Sequence, residues 1–335
     1  MKPESLFSKS SLSCIEMCAG GGGQALGLER AGFKALAHVE LDAHACNTLR
    51  HNRPEWNVVE CDLRDFSATG FHDVDLLAGG VPCPPFSKAG KQLGAADERD
   101  LFPEALRLVA ECSPKAVILE NVRGFLDAVF TDYRLELKLQ LQRLGYETSW
   151  HLVNASDYGV PQLRPRVVVV ALRNDLAHGF FPPFPMAEGI APPTVGEALV
   201  DLMASDGWEG ALAGAGQANE IAPTLVGGSK KHGGADLGPS RAKKAWASLG
   251  VDGKSLADNP PPCGFEGMPK LTIQMAARIQ GFPDDWEFCG GKTAAYRQIG
   301  NAFPPPVAFA VARKVFAAIN TGSSSAIVPL QSKLS

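Results

Sequence analysis

A metal-binding cysteine framework is the first thing this chain lacks. Its eight cysteines, Cys14, Cys18, Cys46, Cys61, Cys83, Cys112, Cys263 and Cys289, include no C-x-x-C pair. No histidine stands at finger-like spacing either, so no metal site is expected. A basic excess is missing too: the net charge is −4 over 335 residues, so any nucleic-acid partner must be met by a local patch. Polar residues follow Lys2 where a signal peptide would need an apolar stretch. The densest apolar run, residues 167–172, is far too short to cross a bilayer and reads as a buried strand. The expectation is therefore a soluble, cytoplasmic protein with no membrane partner. No internal repeat is visible. What is present is ordinary globular composition, 45% hydrophobic and 20% charged, in a chain long enough for two domains with their own cores.

The first half alternates strand-like and helix-like segments. Strands are expected at residues 14–17, 35–39, 58–59, 74–78, 116–119 and 167–172. Helices are expected after the glycines at 20–23, with Ala25, Leu26, Leu28 and Ala31 on one face, and at 101–112. Such alternation predicts an α/β fold, a Rossmann-like and mostly parallel sheet. Ligands in such sheets bind beyond the carboxyl ends of the strands, where the glycine run, Glu40, Asp62, Cys83 and Glu120 all fall. After Arg173 the pattern dissolves into Gly and Pro, which predicts a second, smaller, loop-rich domain. Periodicity returns at 271–280 and at 307–319, the latter entered through Pro304-Pro305-Pro306 as suits a helix's first turn. The division expected is a catalytic domain over 1–173 completed by 292–320, a recognition domain and hinge over 174–291, and a frayed tail over 321–335.

Cys18-Ala19-Gly20-Gly21-Gly22-Gly23, between a strand and a helix, lets backbone approach a ligand, and the helix start favours anions. Taken alone it fits a tight turn as well as a nucleotide or S-adenosylmethionine site. Glu40 could accept hydrogen bonds from a ribose diol, and Asp62 could bind an exocyclic amine; each also reads as an ordinary strand-end acid or cap. Cys83 sits in Gly80-Val81-Pro82-Cys83-Pro84-Pro85-Phe86-Ser87, where flanking prolines stiffen a turn at a strand's carboxyl end. A cysteine nucleophile acts as the thiolate and needs a proton acceptor or electropositive surroundings. Glu120-Asn121-Val122 and Gln162-Leu163-Arg164-Pro165-Arg166 could supply them, although each also reads as loop or surface charge.

In order and spacing these segments resemble the C5-cytosine DNA methyltransferase family, from about Cys14 to Ala318. The glycine run is similar to its first motif and Pro82-Cys83-Pro84-Pro85-Phe86-Ser87 to its nucleophile motif. Glu120-Asn121-Val122 and Gln162-x-Arg164-x-Arg166 are similar to its acid and arginine motifs. Arg278-Ile279-Gln280-Gly281-Phe282-Pro283-Asp284 and Gln298-Ile299-Gly300-Asn301-Ala302-Phe303 resemble its last two. The resemblance implies methyl transfer from S-adenosylmethionine to carbon 5 of a flipped-out cytosine, with S-adenosylhomocysteine as product and no metal. Cys83 would add to carbon 6, Glu120 would bond the N3 edge, Arg166 would hold the O2 side and Arg164 would support the site. The cofactor would be held by Cys18, Ala19, Gly20, Gly21, Gly22, Gly23, Glu40, Leu41, Asp62, Leu63, Pro82, Leu101 and Asn301. The segment after Cys83, to about Arg99, would be a mobile loop that closes over the site.

Two positions depart from the family pattern. Pro84 stands where the family usually has Gln, and Cys18 and Leu41 stand where aromatics often flank the adenine, so a less aromatic cofactor pocket is expected. Residues 224–254 carry six basic side chains against Asp236 and Asp252, a local +4. That patch suits phosphate contacts. The expected contacts with double-stranded DNA are Ser87, Thr224, Lys230, Lys231, Arg241, Lys243 and Lys244, with Ala222-Pro223-Thr224-Leu225 resembling the Thr-Leu element of family recognition domains. The resemblance further implies a monomer in a bacterial restriction–modification setting, paired with a cognate endonuclease. The rival readings are an RNA cytosine methyltransferase of the same family, a non-catalytic DNA-binding module and, from the glycine run alone, a dinucleotide oxidoreductase.

Overall fold

The computed structural model describes residues 11–82, 100–177, 191–227 and 234–325. Cys83, Ser87, Lys230 and Lys231 lie outside the described residues, as do the rest of 83–99 and residues 326–335. The amino-terminal half runs β1 (Leu12–Met17), α1 (Gly23–Ala31), β2 (Phe33–Glu40), α2 (Ala43–Asn52), β3 (Val58–Glu60), β4 (Leu76–Gly79) and α3 (Phe102–Cys112). It continues through β5 (Ala116–Val122), α4 (Thr131–Arg143), β6 (Tyr146–Asn154) and β7 (Pro165–Arg173). Among the described residues six further helices follow: α5 (Val195–Ala204), α6 (Ala211–Gln217), α7 (Ser240–Ser248), α8 (Ile273–Gln280), α9 (Lys292–Asn301) and α10 (Pro305–Ser325).

The seven strands form one sheet in the order β3-β2-β1-β4-β5-β7-β6. Neighbours are parallel from β3 to β5, while β7 runs antiparallel to both β5 and β6. Every strand expected from sequence is present, and β6 is an addition. The inner strands β4, β5 and β7 are almost wholly buried because helices cover both faces, which is why they read as unbroken apolar runs. Phe102, Leu108, Leu137 and Leu141 from α3 and α4 pack on one face. On the other, Leu28 of α1 meets Val307, Val311 and Val315 of α10. The stretch Lys292–Thr321 has the length and mean hydropathy (1.3) of a membrane span, but 67% of its apolar window is buried, as in a core helix.

Among its described residues the stretch 174–291 is mostly irregular, as its Gly and Pro content leads one to expect, with the four short helices α5 to α8 set into it and the isolated bridges Gln162↔Ala222 and Gly207↔Pro262 in place of strands. Thr194 opens α5 with a capping box, its hydroxyl accepting from Glu197 N while Glu197 Oε2 accepts from Thr194 N. A third hydrophobic cluster forms around Trp246, Leu271, Met275, Tyr296 and Ile299, and includes Leu26 and Leu49 from α1 and α2. The glycine loop therefore lies between this cluster and the sheet. Helix α10 also continues through Ser325, past the Thr321 at which a frayed tail is expected from sequence.

Candidate active site

The carboxyl ends of β1, β2, β4 and β5 border a cavity of about 230 Å³. Its lining joins Gly20 and Glu40 at one end to Gly80 and Glu120 at the other, with Asn301 and Phe303 closing a side. The glycine loop needs its glycines for two different reasons. Gly20 (φ +55) has nothing within 4 Å of where a Cβ would stand, so its open side is free for a ligand. Gly22 (φ +92) is crowded instead, and a Cβ there would come 2.6 Å from the Trp286 ring. Glu40 closes the loop from the cavity side. Its carboxylate accepts N–H bonds from Gly20 (2.7 Å), Leu41 (2.9 Å) and Asp42 (2.7 Å). A carboxylate has about four lone-pair positions, so room remains for a ligand hydroxyl. These features, an open glycine cradle beside an acceptor carboxylate, fit a ribose-bearing cofactor.

At the far end, Glu120 and Arg166 form a buried ion pair, Arg166 Nε to Glu120 Oε1 at 2.7 Å. The reversed direction of β7 makes this possible. Arg166 stands at its start, opposite Val122, so it reaches the same sheet edge as the end of β5. Burial pushes the Glu120 carboxyl above its ordinary range, and Arg166 and then Arg164 pull it partly back. Such a carboxyl is suited to holding or donating a proton. The neighbouring Asn121 is buried and donates from Nδ2 to the carbonyl of Val81 (3.0 Å), which fixes the backbone two residues before Cys83.

Arg164 occupies a different environment from Arg166. It is fully buried, and its guanidinium donates to the carbonyls of Leu225 (2.7 Å), Gly300 (2.7 Å) and Ala302 (3.0 Å). Gln162 Nε2 donates to Gln280 Oε1 (2.7 Å), Gln162 Oε1 accepts from Leu225 N (2.9 Å), and Gln280 Nε2 donates to Ala302 O (2.6 Å). This buried hub ties four segments together: the turn before β7, the Ala222–Leu225 stretch, the end of α8 and the end of α9. The alternative reading of the two arginines as a surface pair is excluded by their burial.

Of the residues expected to hold a cofactor, Cys18, Ala19, Gly20, Gly21, Gly23, Glu40 and Asn301 line the cavity. Burial, reinforced by Glu40 and Asp62, pushes the Cys18 thiol up to about 12, so it is a neutral wall and not a second nucleophile. Gly22 faces Trp286 instead, and Leu41, Asp62, Leu63, Pro82 and Leu101 are not in the lining. Leu41 is 61% exposed, Leu63 belongs to the core, and the Asp62 carboxylate accepts from the backbone and guanidinium of Arg64. Leu101 N donates to the Pro82 carbonyl at 3.4 Å. Arg297, Gln298 and Phe303 line the cavity but are absent from the sequence-based set, although Gln298 and Phe303 stand in the quoted motif beside Asn301. Among the basic residues, Arg241 and Lys244 are exposed on α7, whereas Lys243 Nζ pairs with Asp236 Oδ2 at 3.2 Å. Thr224 Oγ1 donates to the Leu163 carbonyl (2.6 Å), which docks its segment beside the arginine turn.

Comparison with known proteins agrees with this arrangement. Type II methyltransferase M.NaeI of Lentzea aerocolonigenes is 57% identical over 316 residues, covering 92% of this chain and 76% of that protein. Type II methyltransferase M.NgoMIV of Neisseria gonorrhoeae is 54% identical over 314 residues, covering 91% and 97%. A crystal structure of a prophage-encoded Escherichia coli protein shares the fold with TM-score 0.67 at 26% identity, covering 92% of this chain and all of that one. Residues 12–317 match the profile of one family across the sheet, the cavity and the buried hub alike. The chain belongs to the C-5 cytosine-specific DNA methylases.

Proposed function

We propose that Cys83, Glu120 and Arg166 carry methylation of carbon 5 of a flipped-out cytosine in a specific double-stranded DNA sequence. The observation that supports this reading best is the single cavity running from the glycine loop and Glu40 to Gly80 and Glu120. S-adenosylmethionine, when bound there, supplies an electrophilic methyl group. Gly20 and Glu40 hold its ribose side, and Asn301 borders it from α9. Cys83 supplies the thiolate that adds to carbon 6 and so makes carbon 5 nucleophilic; once carbon 5 carries the methyl group, loss of its proton restores the double bond and expels the Cys83 thiolate. Glu120, whose carboxyl is held toward its protonated form, donates to N3 of the base. Arg166 keeps Glu120 in place and faces the O2 side. Arg164 acts through the backbone it binds.

Recognition belongs in this reading to the segment over 174–291, with 1–173 and 292–320 carrying the chemistry. Arg241 and Lys244 are the favoured phosphate contacts, since Lys243 has a partner of its own. A monomer in the bacterial cytoplasm, protecting DNA from a cognate endonuclease, completes the proposal. The test is bisulfite sequencing of DNA from cells expressing wild-type or Cys83→Ala protein, with methyl transfer to DNA and RNA compared in vitro. Site-specific 5-methylcytosine that disappears with Cys83→Ala is expected. Substantial product from the variant, or a preference for RNA, would refute the assignment.

A further inference from the structure

The glycine loop is gripped from two opposite sides, and only one grip lies in the cavity. On the cavity side Gly20 N–H donates to Glu40. On the other, the Trp286 indole Nε1–H donates to the Gly21 carbonyl at 2.9 Å, across 265 residues of sequence. Trp286 is 5% exposed and its ring lies against Gly22, where any side chain would collide with it. The ring is itself wedged. Phe282 stacks at 6.4 Å, Trp56 packs at 6.0 Å, and the Arg53 guanidinium lies 5.4 Å over it. Trp286 does not line the cofactor cavity, so any effect on the ligand must pass through Gly21 and Gly22.

We propose that Trp286 is a positioning residue for the cofactor: its indole N–H and ring hold Gly21–Gly22 so that Gly20 keeps its open, left-handed cradle toward the cavity. The inference rests on the S-adenosylmethionine site proposed above. Four glycines in a row have many conformations to lose on folding, and the sequence offers no side chain within the loop to select one. Two left-handed glycines, Gly20 and Gly22, flank the one carbonyl that Trp286 captures. A binding surface made of backbone must be pre-ordered to bind tightly, because ordering it on binding subtracts from affinity. Here that ordering comes from Trp286, near the end of the 174–291 segment assigned to recognition and hinge, with a donor that Phe at this position does not supply.

The experiment uses the full chain. Isothermal titration with S-adenosylhomocysteine compares wild type with Trp286→Phe, which keeps an aromatic ring and removes the donor. The Kd should rise about fivefold or more, fivefold being the lower end of the loss expected when one buried acceptor goes unpaired. The KM for S-adenosylmethionine should rise in step, with kcat and the KM for DNA unchanged. Hydrogen exchange of the apo proteins, followed on a peptide spanning 18–26, should quicken in Trp286→Phe. That measurement reads the loop directly, even in a variant too weak to assay. Wild-type affinity in Trp286→Phe, unchanged exchange in the loop peptide, or a fall in kcat at constant KM would each overturn the proposal. A wild-type protein that binds no S-adenosylhomocysteine would instead refute the cofactor site itself.

Discussion

Arg164→Lys separates a clamp from a catalyst. Lysine keeps the positive charge but replaces a planar fork by a single ammonium, which can satisfy only part of the same carbonyl set. Ala302 O loses nothing essential, since Gln280 Nε2 already donates to it at 2.6 Å. Leu225 O and Gly300 O are bound by different nitrogens of the fork, so the ammonium serves one and orphans the other. One buried unpaired carbonyl costs about 1–3 kcal/mol. With an unfolding entropy of about 2.1 cal/mol/K per residue, 335 residues give about 0.7 kcal/mol/K. The expected drop in Tm is therefore about 1.5–4 °C, with kcat reduced less than about tenfold. Arg166→Lys is the contrast. It touches Glu120 at 2.7 Å, so it should lower kcat by about a hundredfold or more. Thermal melts and steady-state methyl transfer on both variants decide the matter. If Arg164→Lys melts within about 1 °C of wild type while kcat falls as far as in Arg166→Lys, Arg164 acts on the reacting base and the clamp reasoning is wrong.

Three further outcomes follow from the same geometry. Glu40→Ala frees three backbone N–H groups and should weaken S-adenosylhomocysteine binding at least about tenfold in a titration, with DNA affinity little changed; equal cofactor affinity would remove Glu40 from the site. Glu120→Gln should lose methyl transfer and change the pH dependence of stability. Because the folded-state carboxyl is raised, protonation favours the folded wild type at low pH, and that advantage is lost as pH climbs from the unfolded value through the folded one. Urea melts should therefore show the wild-type advantage over Glu120→Gln shrinking with rising pH, and a constant difference would contradict the sign. Lys244→Ala should weaken binding alike on target and non-target DNA and reduce the salt slope by about one unit, measured by titration at several salt concentrations; loss confined to the target sequence would make Lys244 a base contact instead.

The sheet was legible where burial is symmetric. β4, β5 and β7 are buried on both faces, which writes them into the sequence as short apolar runs. Helix α4 was not legible, because its leucines recur every second residue. Leu137 and Leu141 are buried while Leu135 and Leu139 stay exposed, so the pattern suggests a strand although the segment is helical. The helices after Arg173 were hidden by Gly and Pro counts, yet Thr194-Val195-Gly196-Glu197 carries a capping box that could have located α5. Composition described the texture of that region, and the caps described its structure.

The site divides along a different line. Residues whose chemistry is peculiar to the reaction, such as Glu120 at a strand end, could be picked out by type and position. For residues that act through backbone, such as Arg164, a supporting role came from the motif but the partners did not, because the partner of a carbonyl leaves no trace in the sequence around it. Arg164 and Arg166 stand two apart in one short motif and look equivalent on paper. Pro165 opens β7 between them, and only Arg166 enters the strand ladder facing the end of β5. Arg164 precedes it and turns to Leu225, Gly300 and Ala302, three carbonyls contributed from far along the chain. Trp286 repeats the pattern at the glycine loop, where its partner is the carbonyl of Gly21. Both hold segments that lie far apart in sequence, so the catalytic edge is finished only after the last third of the chain has folded onto it. The cavity wall formed by Asn301 and Phe303 is the physical reason that a sheet complete by Arg173 still needs α9 and α10.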